Sequence, residues 1–427
     1  MKIYKYKDLS KERIDILCSR QGTISKNIID IVDNISKDII KDGDNAIREL
    51  TQKFDGILLE RFAVNDDEIE KSANLVPDEV KSAIIRAKDN IFKFHEQQVE
   101  AAPKKIETSK GIFCWRKFKA IENVGLYIPG GTAPLFSTVL MLIIPAILAG
   151  SKRIVICTPP NNEGKIAPEI LWTANMLGVT EIYKVGGAQA IFAMSYGTKQ
   201  ISKVDKIFGP GNAFVTAAKM KISSRTAIDM PAGPSEVLVI ADKNSNAAFV
   251  ASDILSQAEH GTDSQAVLLC DCSNKIDEII AETDNQLEQL PRKDIAKQAL
   301  SISYAVKIDN MKEAFEYSNI YAPEHLILSL DDFEQYIDII ENAGSVFCGK
   351  YSSESFGDYA SGTNHTLPTS GFAKSYSGVS VSAFGKWITF QEVTKQGLND
   401  LGETVEIMAD REGLFAHKNA VTIRKNS

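Results

Sequence analysis

The spacing of apolar and polar positions predicts helices over the first hundred residues of this 427-residue chain. Between Ser25 and Asp42, isoleucine and valine recur every three or four residues, which is the period of an amphipathic helix. After a break at the sequence KDGDN, another helix is expected to run through Phe54. A third is expected from Pro77 to about Ala102, because proline is well suited to the first turn of a helix.

The pattern changes at about Asn123, where short β-branched runs begin to alternate with glycine-rich turns and helical stretches. The predicted strands are Val124–Ile128, Arg153–Thr158, Glu181–Val185, Lys206–Phe208, Val237–Ala241 and Ala266–Cys270. The predicted helices between them are Leu135–Gly150, Lys165–Leu177, Ala188–Ser195, Asn212–Ile222 and Asn246–Ala258. This alternation predicts an α/β fold with a parallel sheet covered on both faces, in which ligands bind beyond the carboxyl ends of the strands.

The C-terminal part of the chain is less regular. Residues Gly344 to Phe384 are rich in Gly, Ser, Thr and Asn, contain no strong helix pattern and form a stretch too long for an idle loop. Helical spacing returns from Gln391 to Ala409, and the sequence REGLFAHKNAVTIR follows. The glycine-rich stretch is therefore expected to contribute to function.

Composition excludes several classes of partner. The chain has a formal net charge of −8 and a pI of about 5.4, which disfavours a nucleic-acid or anionic-membrane partner. Its six cysteines form no CxxC pair and mostly lie in apolar sequence, as expected of a protein in a reducing compartment. The most apolar run, Val139 to Ala149, is shorter than the ~20 residues of a membrane span and contains Pro145. A buried helix and a cytoplasmic location are predicted, because the N-terminus also lacks a secretory pattern.

Four glycine-containing loops fall at successive strand ends. Pro129 to Phe136 and Gly209 to Asn212 each place glycine before a helix, where free backbone N–H groups can face a phosphate. The dinucleotide fingerprint GxGxxG is absent, and any one of these loops alone is more typical of a tight turn. Together the four loops favour a nucleotide or substrate cleft.

Four of the five histidines lie near acidic or amide residues, whereas His95 sits inside an amphipathic helix and is interpreted as structural. The pair Gln257 and His260, three residues apart, would share one helix face. The other combinations are Glu324 with His325, Asp358 with His365, and Glu412 with His417. Zinc prefers such nitrogen and oxygen ligands. Spacing alone leaves the metal site open, because glutamine is a poor zinc ligand and Asp in a turn commonly accepts backbone N–H bonds.

Longer motifs resemble the histidinol dehydrogenase family. They run in order as NVGLYIPGGTAPLFSTVLM, VGGAQAI, KIFGPGNAFVTAAK, DMPAGPSEVLVIAD, SQAEHGTDSQ, YAPEHL, NAGSVF, GDYASGTNHTLPT and EGLFAHKNAVTIR, while the first hundred residues match less distinctively. The resemblance implies two Rossmann-like parallel-sheet domains without GxGxxG, a helical N-terminal arm and a C-terminal tail. The expected limits are 1–24 for the arm, 25–125 with 235–378 for the zinc and substrate domain, 126–234 for the NAD-contacting domain, and 379–427 for the tail.

The resemblance also implies a reaction and a set of residues. The family oxidises L-histidinol through L-histidinal to L-histidine with two NAD+, the last step of histidine biosynthesis, and uses one zinc ion per subunit. The implied zinc ligands are Gln257, His260, Asp358 and His417. The implied substrate contacts are Ser235, Gln257, His260, His325, Asp358, Glu412 and His417, with His365 as a further candidate. The implied NAD contacts are Tyr127, Gln189 and Asn212.

Two adjacent residues are the implied catalytic bases. His325, with an ordinary pKa near neutrality, would take the alcohol proton, and Glu324 would activate water for the second oxidation. No cysteine is needed for this route. The resemblance further implies a homodimer in which Glu412 and His417 of the tail reach the partner's active site.

Two alternatives remain at the level of sequence. A metal-dependent hydrolase could use Glu324 as base without a nucleotide, but it would leave the four glycine loops unexplained. A non-catalytic binding relative would be indicated by a substitution among the implied ligands or bases, and none is found.

Overall fold

The structure, a computed structural model, describes residues 1–20, 25–99, 103–130 and 134–427. Its strands are β1 (Lys2–Lys5), β2 (Ile106–Ser109), β3 (Ile112–Ala120), β4 (Asn123–Tyr127), β5 (Arg153–Thr158), β6 (Ile182–Lys184), β7 (Lys206–Phe208), β8 (Ala227–Ile228), β9 (Glu236–Ala241), β10 (Gln265–Cys270), β11 (Tyr304–Lys307), β12 (His325–Ser329), β13 (Ser345–Cys348) and β14 (Gly385–Val393). Its helices are α1 (Lys11–Cys18), α2 (Lys26–Asp42), α3 (Asp44–Asp55), α4 (Asp66–Leu75), α5 (Asp78–Glu96), α6 (Phe136–Ala149), α7 (Pro168–Met176), α8 (Gly187–Tyr196), α9 (Ala213–Ile222), α10 (Ala247–Ala258), α11 (Ser273–Leu287), α12 (Lys293–Ile302), α13 (Met311–Tyr321), α14 (Glu354–Tyr359), α15 (Lys395–Arg411) and α16 (Phe415–Lys425).

A five-stranded parallel sheet has the order β6-β5-β4-β7-β8. The chain starts at β4, moves outward through β5 and β6, and then returns to the other side of β4 as β7. The switch point, where ligands bind in such sheets, therefore lies between the carboxyl ends of β4 and β7. The six predicted strands are confirmed to within one residue at each end, and so is the parallel α/β class.

A six-stranded parallel sheet has the order β1-β11-β10-β9-β12-β13. Its direction changes between β9 and β12, so it repeats the topology of the five-stranded sheet. The prediction of a wholly helical N-terminal arm is wrong for β1, which pairs in register with β11 from Lys2 opposite Tyr304. An edge strand is stabilised by a backbone partner distant in sequence, and local spacing does not reveal such a partner.

The early helices pack on the five-stranded sheet. Ser25 caps α2 by accepting a hydrogen bond from the Ile28 N–H, and Val32 and Ile39 enter the same core as Val155. Helices α2 and α3 contact α8, α4 contacts α7, and α5 contacts α6. This packing differs from the expected grouping of residues 25–125 with the other sheet. The third predicted helix is found as α5, and residues 100–102 of its expected end lie outside the described residues.

The C-terminal region departs most from expectation. Strand β14 pairs antiparallel with β3, and β2 completes this three-stranded sheet. Since β14 extends to Val393, the helix expected from Gln391 begins only at Lys395. The stretch expected to lack a strong helix contains β13 and the short helix α14. The apolar run is confirmed as buried helix α6, and none of the helices in the described part combines the length and apolarity needed to cross a bilayer.

Candidate active site

Glu324 and His325 lie at the amino end of β12, next to the first residue of β9. His325 Nδ1 donates a hydrogen bond to the Glu236 carbonyl oxygen at 3.2 Å, and Glu324 Oε2 accepts one from the Glu236 N–H at 2.9 Å. The expectation that ligand groups gather at carboxyl strand ends is therefore wrong for this sheet. Helix α10 starts beyond the carboxyl end of β9 and runs back, which brings Gln257 to the amino edge.

His325 is surrounded by carboxylates. Its Nδ1 lies 3.7 Å from Glu324 Oε2, and its Nε2 lies 3.7 Å from Asp358 Oδ1 and has no hydrogen-bond partner. Burial lowers the pKa of His325, but the carboxylates of Glu324, Glu354 and Asp358 outweigh it and raise the pKa to about 10. The assumption of a pKa near neutrality is corrected, because sequence did not show that three acids meet one imidazole.

Glu324 is buried and its carboxyl group is tuned for proton exchange. Burial raises its pKa to about 8, against the opposing effect of the His325 imidazole, and the nearby Glu236 carboxylate adds to the rise. Glu236 itself forms a buried ion pair with Arg20. A carboxyl group with a pKa close to neutrality can both accept and donate a proton at working pH.

Three side chains form a cluster of metal-ligating atoms. Each of His260, Glu354 and Asp358 contributes one ligand atom, and these three atoms lie within 4.8 Å of one another. Gln257 lies one helical turn before His260 and is fully buried, and in the described part of the chain neither its amide nitrogen nor its amide oxygen has a hydrogen-bond partner. A buried unpaired amide beside nitrogen and oxygen ligands fits a bound cation, because buried polar groups otherwise find partners.

Glu354 was missed by sequence reasoning. It begins α14, and Asp358 follows four residues later on the same helix face. The spacing was visible in SSESFGDY, but it carries meaning only on a helix, and this stretch was expected to lack one. The neighbouring buried pair of Glu236 and Arg20 was missed for a simpler reason, since nothing in sequence links residues so far apart.

His365 supports the cluster through its two ring nitrogens. Nδ1 donates to the Asp358 carbonyl oxygen at 2.9 Å, and Nε2 lies 3.1 Å from Thr138 Oγ1 in the first turn of α6. Burial lowers the pKa of His365, which favours the neutral ring needed for this arrangement. His365 therefore links the metal-ligating cluster to the helix that follows the first glycine loop.

Glu412 and His417 lie apart from this cluster. Glu412 is the residue that caps the C-terminus of α15, His417 is on α16, and both side chains are exposed. The cluster found among the described residues does not include His417. Within one chain, the cluster thus contains two of the four predicted zinc ligands, His260 and Asp358, and Gln257 lies one helical turn before His260.

Ser235 directly precedes β9 and is half-buried. It lines a cavity of about 1150 Å³ together with Arg20, Glu236 and Gln265. This cavity lies between the N-terminal segment, α2 and α9, and the described residues that line it do not include His260 or Asp358. Glu236, which bonds to both Glu324 and His325, thus also borders this cavity.

Two of the predicted NAD contacts, Tyr127 and Asn212, follow β4 and β7 at the switch point of the five-stranded sheet, and the third, Gln189, lies on α8 after β6. Tyr127 ends β4 and is buried, and its Oη accepts a hydrogen bond from the Gly187 N–H at 3.0 Å. Burial raises the pKa of Tyr127 to about 12, so the phenol stays neutral. Gln189 is buried in α8, whereas Asn212 is exposed and caps α9 by accepting bonds from two backbone N–H groups. Residues 131–133 of the first glycine loop lie outside the described residues.

A buried ion pair fixes the loop at Gly209. Lys219 Nζ lies 2.5 Å from Asp229 Oδ1 and also donates to the Gly209 carbonyl oxygen at 2.8 Å. Asp229 Oδ2 accepts from the Gly209 N–H at 2.8 Å, so both backbone polar groups of this glycine are held. The loop is therefore shaped by side chains behind it.

Comparison with known proteins identifies the family of the chain. The family model described as histidinol dehydrogenase matches residues 18–425. A histidinol dehydrogenase of Bacteroides fragilis (strain YCH46) is 53% identical over 425 residues, covering 99% of this chain and 99% of that protein. The chloroplastic histidinol dehydrogenase of Arabidopsis thaliana is 49% identical over 428 residues, covering 99% of this chain and 91% of that protein.

A solved structure supports the same relationship. The crystal structure of histidinol dehydrogenase from Elizabethkingia anophelis superposes with a TM-score of 0.95 at 52% identity, covering 99% of this chain and 98% of that one. The prediction of an NAD-dependent oxidoreductase acting on a CH–OH group is confirmed, and the hydrolase and non-catalytic alternatives are not retained. The chain therefore belongs to the histidinol dehydrogenase family.

Proposed function

We propose that the chain oxidises L-histidinol through L-histidinal to L-histidine, with one zinc ion per subunit and two NAD+ reduced in succession. The observation that carries this proposal is the bridge made by His365 between the Asp358 carbonyl oxygen and Thr138 of α6. It sets the metal-ligating cluster beside the helix that leaves the first glycine loop. An oxidoreductase needs its substrate carbon close to the cofactor, and this bridge joins the two parts of the site.

His325 is the group that receives the alcohol proton. Its Nε2 is buried, has no hydrogen-bond partner among the described residues, and lies 3.7 Å from Asp358 Oδ1. Its Nδ1 is fixed by the Glu236 carbonyl oxygen, which sets the orientation of the ring. Zinc bound by Gln257, His260 and Asp358 with the partner subunit's His417 would orient the substrate through its imidazole and amine nitrogens, and its charge would offset the acids that raise the pKa of His325.

Glu324 is the group that activates water for the second oxidation. The Glu236 N–H holds Oε2, so the carboxyl group keeps one orientation beside His325. A pKa of about 8 suits a base that takes a proton from water near neutral pH. NAD+ supplies the hydride acceptor in both oxidations. Because Glu324 and His325 are buried, bulk water would have little access to the aldehyde intermediate.

The stoichiometry of NADH formation tests the whole proposal. L-histidinol and NAD+ are mixed with the full chain, and NADH absorbance is followed before metal stripping, after stripping, and after zinc return. We expect two NADH per histidinol, loss of turnover on stripping, and recovery with zinc. Absence of turnover in folded, zinc-loaded protein would overturn the substrate assignment.

The shared site is tested by subunit exchange. A His417→Ala dimer and a His260→Ala dimer should each be inactive, because each lacks one proposed zinc ligand. After exchange, mixed dimers contain one complete site if His417 serves the partner subunit, and activity should partly return. Verified exchange without any recovery would contradict sharing.

The cytoplasmic location stays a prediction from sequence.

A further inference from the structure

We propose that Asn364 is a positioning residue for hydride transfer, which holds segment 358–366 against α6 at the carbonyl group that Pro145 leaves without its helical donor. The proposal rests on the function proposed above and deepens it. Asp358 and His365 of this segment lie on the metal and substrate side, whereas α6 follows the first glycine loop on the cofactor side. Asn364 is absent from the residue set that the sequence implied.

The proline inside α6 creates the contact point. In an α-helix the Met141 carbonyl oxygen would accept a hydrogen bond from the backbone nitrogen of residue 145, but proline has no N–H. Helix α6 contains Pro145 and still continues to Ala149. The Asn364 Nδ2 donates to the Met141 carbonyl oxygen at 2.7 Å. The side-chain amide therefore replaces the donor that the proline lacks.

The amide group of Asn364 is buried and has one orientation. Its Oδ1 accepts from the Thr366 N–H at 2.9 Å, and its Nδ2 lies 3.3 Å from His95 Nε2. The His95 Nδ1 donates to the Ile91 carbonyl oxygen at 2.8 Å, so Nε2 of the neutral ring accepts from the amide. Burial lowers the pKa of His95, which favours the neutral ring. An inverted amide would set its oxygen against the Met141 carbonyl oxygen, and the network excludes this orientation.

Two further contacts hold the same segment. The Asn90 Nδ2 on α5 donates to the Ala360 carbonyl oxygen at 2.9 Å. The His365 Nε2 lies 3.1 Å from Thr138 Oγ1, which is three residues before the carbonyl group that Asn364 binds. Residues three apart share one face of a helix. Asn364 and His365 therefore contact the same face of α6 from adjacent positions.

The position of these contacts gives them a role in the reaction. Hydride transfer needs the substrate carbon and the cofactor in a fixed relation, and a misplacement of about 1 Å can cost about 10²-fold in rate. Asn364 is neither among the proposed zinc ligands nor among the proposed NAD contacts. Its loss should therefore leave each binding step intact and slow the step that joins them.

The substitution Asn364→Asp tests this division. The aspartate keeps an acceptor for the Thr366 N–H but sets a second oxygen against the Met141 carbonyl oxygen. We expect kcat for NADH formation from L-histidinol to fall about 10²-fold, with the dissociation constants of zinc and NAD+ within about twofold of the wild type. Chelator competition and calorimetric titration give the two constants. Histidinol deuterated at the carbinol carbon should show a larger primary isotope effect on kcat.

A second variant changes the other side of the contact. Pro145→Ala returns a backbone N–H that competes with Asn364 for the Met141 carbonyl oxygen. Alanine favours a helix, so a purely structural role predicts an unchanged kcat, whereas positioning predicts a kcat lower by roughly threefold. Gln200→Glu is the matched control, because the Gln200 amide also joins a carbonyl oxygen, that of Glu60, to the Phe62 N–H, before β7 and away from α6. It should retain the wild-type kcat.

The outcomes distinguish this inference from the proposed function. A folded, zinc-loaded Asn364→Asp enzyme with the wild-type kcat would overturn the positioning role alone. If that variant does not fold, the kcat of Pro145→Ala decides in the same way. A large loss of zinc or NAD+ affinity would show that Asn364 builds one binding site, which also contradicts the proposal. A folded, zinc-loaded wild type that forms no NADH from L-histidinol would overturn the proposed function and this inference together.

Discussion

The two parallel sheets repeat one topology yet present their functional groups in opposite ways. In the five-stranded sheet the predicted NAD contacts follow strands at their carboxyl ends, and the groups that hold the loops are paired, as in the Tyr127 bond to Gly187. In the six-stranded sheet the candidate catalytic groups lie at amino strand ends, and several are unpaired, including Gln257 and Glu354.

The difference follows from what each ligand demands. A dinucleotide cleft needs loop backbone that approaches the phosphates closely. The side chains behind such a loop can therefore use all their hydrogen bonds to hold the loop in place. A cation site needs ligand atoms that the protein leaves without other partners. Potential metal ligands that are buried and unpaired, Gln257 and Glu354, therefore mark the metal-ligating region, even though strand order does not distinguish the two sheets.

The largest expected effect comes from the residues at the amino edge of the six-stranded sheet. Glu324→Gln should lower oxidation of added histidinal by about 10³-fold, because the variant lacks the proposed water-activating base. Oxidation of histidinol to the aldehyde should persist, since His325 is unchanged. Half-reactions measured separately with each substrate check the prediction. Equal loss in both would refute the division of labour between Glu324 and His325.

The buried Lys219–Asp229 ion pair behind the Gly209 loop should have the largest effect on stability. Lys219→Met leaves Asp229 buried without its cation, and we expect a loss of about 3–5 kcal/mol in the free energy of unfolding. Lys221→Met is the matched control, because the Lys221–Asp33 pair is partly exposed and should contribute only about 0–1 kcal/mol. Denaturant unfolding of both variants gives the comparison. Similar losses would show that the buried pair has no special role in fixing the loop.

A smaller effect is expected from the glycine that the pair holds. Gly209 has φ +124°, and an added Cβ would lie 2.1 Å from the Tyr127 carbonyl oxygen. Gly209→Ala should therefore cost about 3 kcal/mol in unfolding free energy and weaken NAD+ binding, with zinc affinity unchanged. Gly178→Ala, at φ +77° with open space around the added carbon, should cost about 1 kcal/mol. Calorimetric NAD+ titration and chelator competition check both variants, and weakened zinc binding in Gly209→Ala would contradict separate roles for the two regions.

The smallest effect concerns Asp55, an unpaired buried carboxyl group among the helices that pack on the five-stranded sheet. Asp55 ends α3 with a buried Oδ2 that lacks a partner, and burial raises its pKa from 3.8 to about 6. Because the folded state holds this proton more tightly, stability should fall as pH rises from about 4 through about 6 and stay lower above it. Asp55→Asn should remove that slope and stabilise the protein by about 1 kcal/mol at pH 8, after allowance for solvent screening. Unfolding curves across this pH range provide the check, with the exposed Asp38→Asn as control. A slope that survives in Asp55→Asn would assign it to other groups.

Regular elements were largely predictable from the sequence. The strands from Val124 to Cys270 and the helices between them were found because apolar periodicity records which face of each element is buried. The misses have two causes. Strands β1 and β14 depend on partners far away along the chain, and the short helix α14 lies in a glycine- and serine-rich stretch without a helical pattern. Local spacing does not encode such pairings, and neither does it show that α2 packs on α8 and α9.

For the site, the sequence by itself determined the residue types and the family through motifs such as SQAEH and APEHL. Only the tertiary structure decided which side chains meet. It placed Glu354 with His260 and Asp358, set three acids around His325, and left His417 outside the cluster of its own chain. The physical reason is that burial, pairing and pKa depend on distances across the fold, whereas a motif records only neighbours along the chain.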